Sequence, residues 1–158
     1  MNDGIQCLPA SFESSTCKSY LLAMPGKMLA EIYDKYGERL LEQNVRTFLQ
    51  FRGGVNKAIR NTLKSQPEMF FAYNNGLTVT AENMDVQNNR ILSVTNLQIV
   101  NGGQTTASIF MSKMQNKNDI NLEHVYVQVK LSRIALEKVD EIVPTISQCA
   151  NTQNKVSS

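Results

Sequence analysis

The sequence predicts a single α/β domain, with α+β as the near variant: a mixed sheet flanked by helices. Three observations carry this prediction. The chain has 158 residues and is 42% hydrophobic, enough for one core and too short for two. Its middle alternates apolar and polar residues with the period of two that strands require. Other segments place apolar residues 3.6 apart, as helices do.

Met1–Lys18 contains Gly4, Pro9 and several serines and shows no period, so order there must come from the rest of the chain. Ser19–Met24 reads as a strand. Pro25 suits the first turn of a helix carrying Met28, Leu29, Ile32, Tyr33 and Tyr36 on one face and stopping near Gly37. After Gly53-Gly54, a second helix puts Val55, Ile59 and Leu63 together and stops at Pro67. Asn74-Asn75-Gly76 is a turn signature ahead of the alternating strand Leu77–Ala81. Asn88-Asn89 divides the Thr78–Asp85 strand region from Ile91–Val94 and predicts a hairpin. Leu97–Val100 reads as a more buried strand. Past Asn101-Gly102-Gly103-Gln104 the period changes, and Thr105–Met114 is helical with Ala107, Phe110, Met111 and Met114 on one side. Val125–Leu131 is the last strand. Ala135–Cys149 is the last helix, with Pro144 expected to kink or break it.

Composition excludes several functions. With 16 Lys+Arg against 14 Asp+Glu, the net charge of +2 rules out a strongly basic nucleic-acid arm. No apolar run approaches the ~18 residues of a membrane helix, so no membrane partner is expected. Met1–Ser15 lacks the pattern of a secretion signal, which predicts a cytoplasmic location. Cys7, Cys17 and Cys149 match no zinc or disulfide framework, and His124 is the single histidine, so no metal site is expected. No nucleophile elbow or nucleophile–base pair can be assembled. A nuclease with paired acids and a lysine is disfavoured too, because Val127-Gln128-Val129-Lys130 carries glutamine where the acid would stand. Catalytic residues and cofactor are therefore left unassigned, and whether the chain is an enzyme stays open.

The most informative segment runs from Leu97 to Ser108. A strand feeding a glycine turn that opens a helix leaves backbone N–H groups free to hold an anion. The helix dipole adds only ~0.3–1 kcal/mol, so positioned N–H groups must dominate. Thr105 or Thr106 could cap the helix or meet a phosphate. The spacing is not that of a P-loop, since no lysine follows the glycines. The plain alternative is that the glycines serve only the geometry of the connection. Sixteen asparagines, several at element ends (Asn44, Asn56, Asn74, Asn75, Asn101, Asn151, Asn154), divide in the same way between ligand reading and turn building. Arg46, with Arg39, Arg52, Lys57 and Arg60 around it, is either an anion ligand or part of a solvated face.

Four segments in order, Gly37–Leu49, Phe71–Gly76, Gln98–Thr105 and Ala150–Val156, resemble the AIPR family of bacterial abortive-infection phage-resistance proteins. The match runs roughly from Tyr20 to the end. It implies a defence module over residues 19–158 that continues in a longer parent protein, after a poorly patterned segment 1–18. A fainter similarity links the Asn-Gly-Gly-Gln turn and Ala150-Asn151-Thr152-Gln153-Asn154 to the Asp-Gly-Gln-His-Arg proteins of the ParB and sulfiredoxin fold, where the matching turn meets nucleotide phosphates. Thr105 and Thr106 stand in place of His-Arg, so the cation would have to be Arg46 or Arg60.

Together these imply a nucleotide or nucleic-acid phosphate site formed by Arg46, Asn74, Asn75, Asn101, Gly102, Gly103, Gln104, Thr105, Asn151, Gln153 and Asn154. On this reading Gly102→Val should abolish binding without unfolding the chain. The second reading is a non-catalytic interaction or scaffold domain whose asparagines only fix turns, any nuclease activity lying in flanking domains. Expected partners are a nucleotide or nucleic acid and the remaining domains of the parent protein, with self-association left open.

Overall fold

The computed structural model describes residues 4–10, 16–41 and 55–153, the last three as backbone. The α/β prediction holds: a mixed seven-stranded sheet is flanked by helices. The strands are β1 (Ile5–Pro9), β2 (Cys17–Pro25), β3 (Leu77–Ala81), β4 (Asn83–Gln87), β5 (Arg90–Thr95), β6 (Gln98–Asn101) and β7 (Tyr126–Ile134). The helices are α1 (Gly26–Tyr36), α2 (Lys57–Ser65), the single turn α3 (Phe70–Tyr73), α4 (Gly103–Gln115) and α5 (Val139–Gln153). The unpatterned N-terminal stretch contributes β1, whose order comes from antiparallel neighbours on both sides, β2 and β5.

The spatial order is β4-β5-β1-β2-β7-β3-β6, with β3 and β7 parallel and the other neighbours antiparallel. β3–β4 and β5–β6 are the two arms of one long hairpin. The register that pairs Val79 with Ile99 and Thr80 with Gln98 continues through Asn83 with Thr95 to Asp85 with Ser93. Across the joint the Glu82 N–H donates to the Thr95 carbonyl at 3.1 Å. The bend is at Asn96, which takes a left-handed φ of 56° and donates its amide to Glu82 Oε1 at 2.8 Å.

This hairpin supplies both edges of the sheet, its base half beside β7 and its tip half beside β1. Five inter-strand steps of ~4.8 Å separate β4 from β3, and β5 from β6, in a flat sheet, about 24 Å. A joint of one or two residues reaches only ~3.5 Å per residue. The sheet must therefore curl until its edges approach.

Side-chain alternation assigns the two faces. Ile99 joins the main core with Val79, Val129, Leu22, Leu29 of α1, Leu63 of α2 and Ile109 of α4. The next residue, Val100, faces the other way and packs with Ile134 and Val143 beneath α5. α1 stops as predicted at Gly37, whose φ is 60°. α1 and α4 meet through Tyr33 and Phe110, with ring centroids 5.3 Å apart. Burial pushes the Tyr33 phenol pKa up, and the nearby Glu38 charge adds to the rise.

Two expectations need correction. α4 does not bury Met111 and Met114; Met114 is exposed, and the buried face is Thr105, Thr106, Ser108, Ile109 and Ser112. Small residues win there because neighbouring elements approach closely: Ser108 Oγ accepts the Asn56 N–H at 3.0 Å. Of the two outcomes expected at Pro144, the break does not occur, because α5 runs on through it. Asn56 also caps α2 by accepting from Ile59 N at 3.1 Å, so Asn56→Ala is expected to lose about 1 kcal/mol in urea unfolding.

None of the cysteines is in a disulfide; Cys7 is buried and Cys149 is exposed on α5. Desolvation raises the Cys7 thiol pKa, which lowers its thiolate fraction at neutral pH. Maleimide at pH 7 should therefore modify Cys149 in the native protein and Cys7 only after denaturation, as read by peptide mass.

Candidate functional site

The glycine turn stands where β6 ends and α4 begins. Gly102 is the helix N-cap with a left-handed φ of 93°, a conformation glycine adopts without steric cost. It offers no side-chain oxygen, so the first-turn N–H groups of α4 receive no cap from it. A bulge accompanies the turn: Val79 faces Ile99 but Thr78 faces Asn101, leaving Val100 as the extra residue.

The Asn74-Asn75-Gly76 loop packs directly against this turn. A Cβ on Gly102 would lie 2.5 Å from Leu77 Cδ2 and 2.8 Å from the Gly76 carbonyl oxygen. Gly76 is itself left-handed, at φ 85°, and its own absent Cβ would meet the Gln128 carbonyl oxygen at 2.4 Å. The two motifs thus meet backbone to backbone because Gly102 has no side chain, while the missing side chain of Gly76 lets its loop lie against β7. Asn74 locks the arrangement: its Oδ1 accepts the Gly76 N–H at 2.8 Å, an Asx turn, and its Nδ2 donates to Thr105 Oγ1 at 3.4 Å. Asn74→Ala should remove both bonds and cost about 1 kcal/mol, measured by thermal unfolding.

Asn74, Asn75, Asn101, Gly102, Gly103, Gln104 and Thr105 therefore share one corner of the molecule. Asn75 is exposed, Asn74, Asn101, Gly102 and Gln104 are half-buried, and Gly103 and Thr105 are buried. Thr106 is fully buried and its hydroxyl turns back to the Gly102 carbonyl at 3.5 Å, so it faces no ligand. α5 joins β6 beside this corner, with Ser147 Oγ donating to the Val100 carbonyl at 3.3 Å. Asn151 and Gln153 are in the last turn of α5, where the backbone places Asn151 one turn beyond Ser147. Arg46 and Asn154 lie outside the described residues. Arg60 is half-buried on α2, and no hydrogen bond or ion pair joins it to the turn among the described residues.

His124 is exposed on a 3-10 turn, Leu122–His124. Among the described residues, no three His, Cys, Asp or Glu side chains gather into a metal-sized group, and no helix is long and apolar enough to cross a membrane.

These features define a mixed α/β domain whose glycine-capped helix start and Asx turn form one polar corner. The family model described as AIPR protein matches residues 41–158. The chain belongs to the AIPR family, which ties it to abortive infection and phage resistance. No curated protein and no solved structure matches it.

Proposed function

We propose that this AIPR domain serves phage defence by holding a phosphate of a nucleotide or nucleic acid at the first turn of α4. The supporting observation is the junction of the two motifs, where Asn74 ties the Asn74-Asn75-Gly76 loop to Thr105 beside a helix start that carries no side-chain cap. A phosphate would take the first-turn N–H groups as donors, with Asn75, Asn101 and Gln104 as neutral partners around it. Arg46 is the residue proposed to bring charge, and Asn151, Gln153 and Asn154 to extend the polar rim.

The test is binding of ATP and of a short single-stranded DNA by titration calorimetry, at two salt concentrations, to the chain and to Gln104→Glu. Gln104 occupies the second helical position, where an acid is favourable toward the dipole and repels a bound phosphate. The variant should keep or slightly raise the melting temperature and weaken binding at least tenfold. Absence of binding to both ligands would remove the proposal.

A scaffold role is the second reading, favoured by the burial of Thr105 and Thr106 and by the tight seat of Gly102 on Leu77. It expects Gln104→Glu to change neither ligand affinity nor fold, with the turn serving only to aim α4.

A further inference from the structure

The curl of the sheet encloses a cavity of about 510 Å³ between α1 and the core face, within the range of small-molecule sites. Its inner wall is apolar, formed by Leu22, Val79, Ile99 and Val129 from the strands and by Met28 and Ile32 from α1. Packed interiors hold few voids above water size, and a lining without partner atoms forgoes its dispersion contacts. The rim is different. Tyr36, Arg39 and Asn96 line it as exposed residues, and Arg39 is the one charged side chain among the described lining residues.

The Arg39 Nε donates to the Tyr36 carbonyl at 3.4 Å, and the Arg39 carbonyl accepts from Gln98 Nε2 at 3.1 Å. The backbone is thereby fixed while the terminal guanidinium nitrogens face no carboxylate within ion-pair distance among the described residues. The Asn96 amide is already engaged with Glu82.

We propose that this cavity binds an amphipathic anion: an unbranched acyl chain seated on the strands, with its terminal carboxylate on the Arg39 guanidinium. The guanidinium fork matches a carboxylate by two parallel hydrogen bonds. A nucleotide is the wrong chemistry, because its base and sugar would be buried against the apolar side chains of Leu22, Val79, Ile99, Val129, Met28 and Ile32, which offer them no hydrogen bonds. The site is separate from the glycine turn. Leu77 divides them, lining the cavity while its Cδ2 rests against Gly102.

The experiment is calorimetric titration of the chain with decanoate, below its micelle concentration, and in parallel with 1-decanol. Saturable one-to-one binding of decanoate is expected. Arg39→Gln, a surface change, should weaken decanoate at least tenfold and leave 1-decanol unaffected. Methyl NMR resonances of Val79, Ile99 and Val129 should shift on binding while those of Val143 and Ile146, under α5, stay in place. No saturable binding by the unmodified chain, equal decanoate affinity in Arg39→Gln, or shifts confined to the α5 methyls would each overturn the proposal.

Discussion

Replacing Gly76 with alanine is expected to destabilise the domain by about 2–5 kcal/mol in urea unfolding, combining ~1–2 kcal/mol for a left-handed side-chain-bearing residue with ~1–3 kcal/mol for overpacking. The clash is with main chain, the Gln128 carbonyl oxygen 2.4 Å from the new Cβ. β7 cannot give way there, because it is paired with β2 on one side and β3 on the other. Gly37 supplies the control. It too has a positive φ, of 60°, but nothing lies within 4 Å of its absent Cβ. Gly37→Ala should therefore show only the conformational part, about 1–3 kcal/mol. Equal losses at the two glycines would mean that the contact with Gln128 carries no weight.

The same geometry corrects the expectation that Gly102→Val would silence the site and spare the fold. A β-branched residue at φ 93° is a steric outlier, and its Cβ would strike Leu77 and the Gly76 carbonyl. Loss of binding in that variant would report unfolding. A charge placed by Gln104→Glu perturbs the ligand without touching this contact.

The contrast shows what the residue pattern carries. Glycine and asparagine announced turns that are real: Asn88 and Asn89 take φ of 53° and 59° at the hairpin tip, and Gly76 and Gly102 are left-handed as well. Local chemistry dictates such features, so they are legible one segment at a time. That the Asn74 turn would lie against the Gly102 turn follows from β3 pairing with β6, and the motif order of the AIPR resemblance anticipated the combination but not the contact.

Other features depend on long-range assembly and left little trace. The bent hairpin reads locally as separate strands, because the residue at its joint, Asn96, looks like any turn former, and its role appears only once β5 has paired with β1. The cavity inside the curl was invisible for the same reason. Arg39 and Asn96 are 57 positions apart and share a rim only after the edges of the sheet have been drawn together. The buried face of α4 is hidden from the sequence pattern because, apart from Ala107 and Ile109, it is rich in Ser and Thr, which a hydrophobic period cannot detect.

Phe70→Ala should be the most damaging of the single truncations, at about 3–5 kcal/mol, the usual range for a buried phenylalanine. Phe70 is 1% exposed and, among the described residues, heads the fully buried side chains by volume. Its neighbours on α3, Phe71 and Tyr73, are 45% and 59% exposed, so Phe71→Ala should stay within about 0.5 kcal/mol of the unmodified protein. The two substitutions occupy the same helical turn and separate burial from helix propensity. Phe70 also anchors the candidate site: the Asn74 N–H donates to its carbonyl at 3.0 Å, two residues before the Asx turn closes on Gly76. Hydrogen exchange at the Gly76 amide should therefore accelerate in Phe70→Ala even where the protein is still folded, and remain unchanged in Phe71→Ala. Unaltered protection of that amide in Phe70→Ala would show that the Asn74 loop is held by its contacts with the glycine turn and not by the core beneath it.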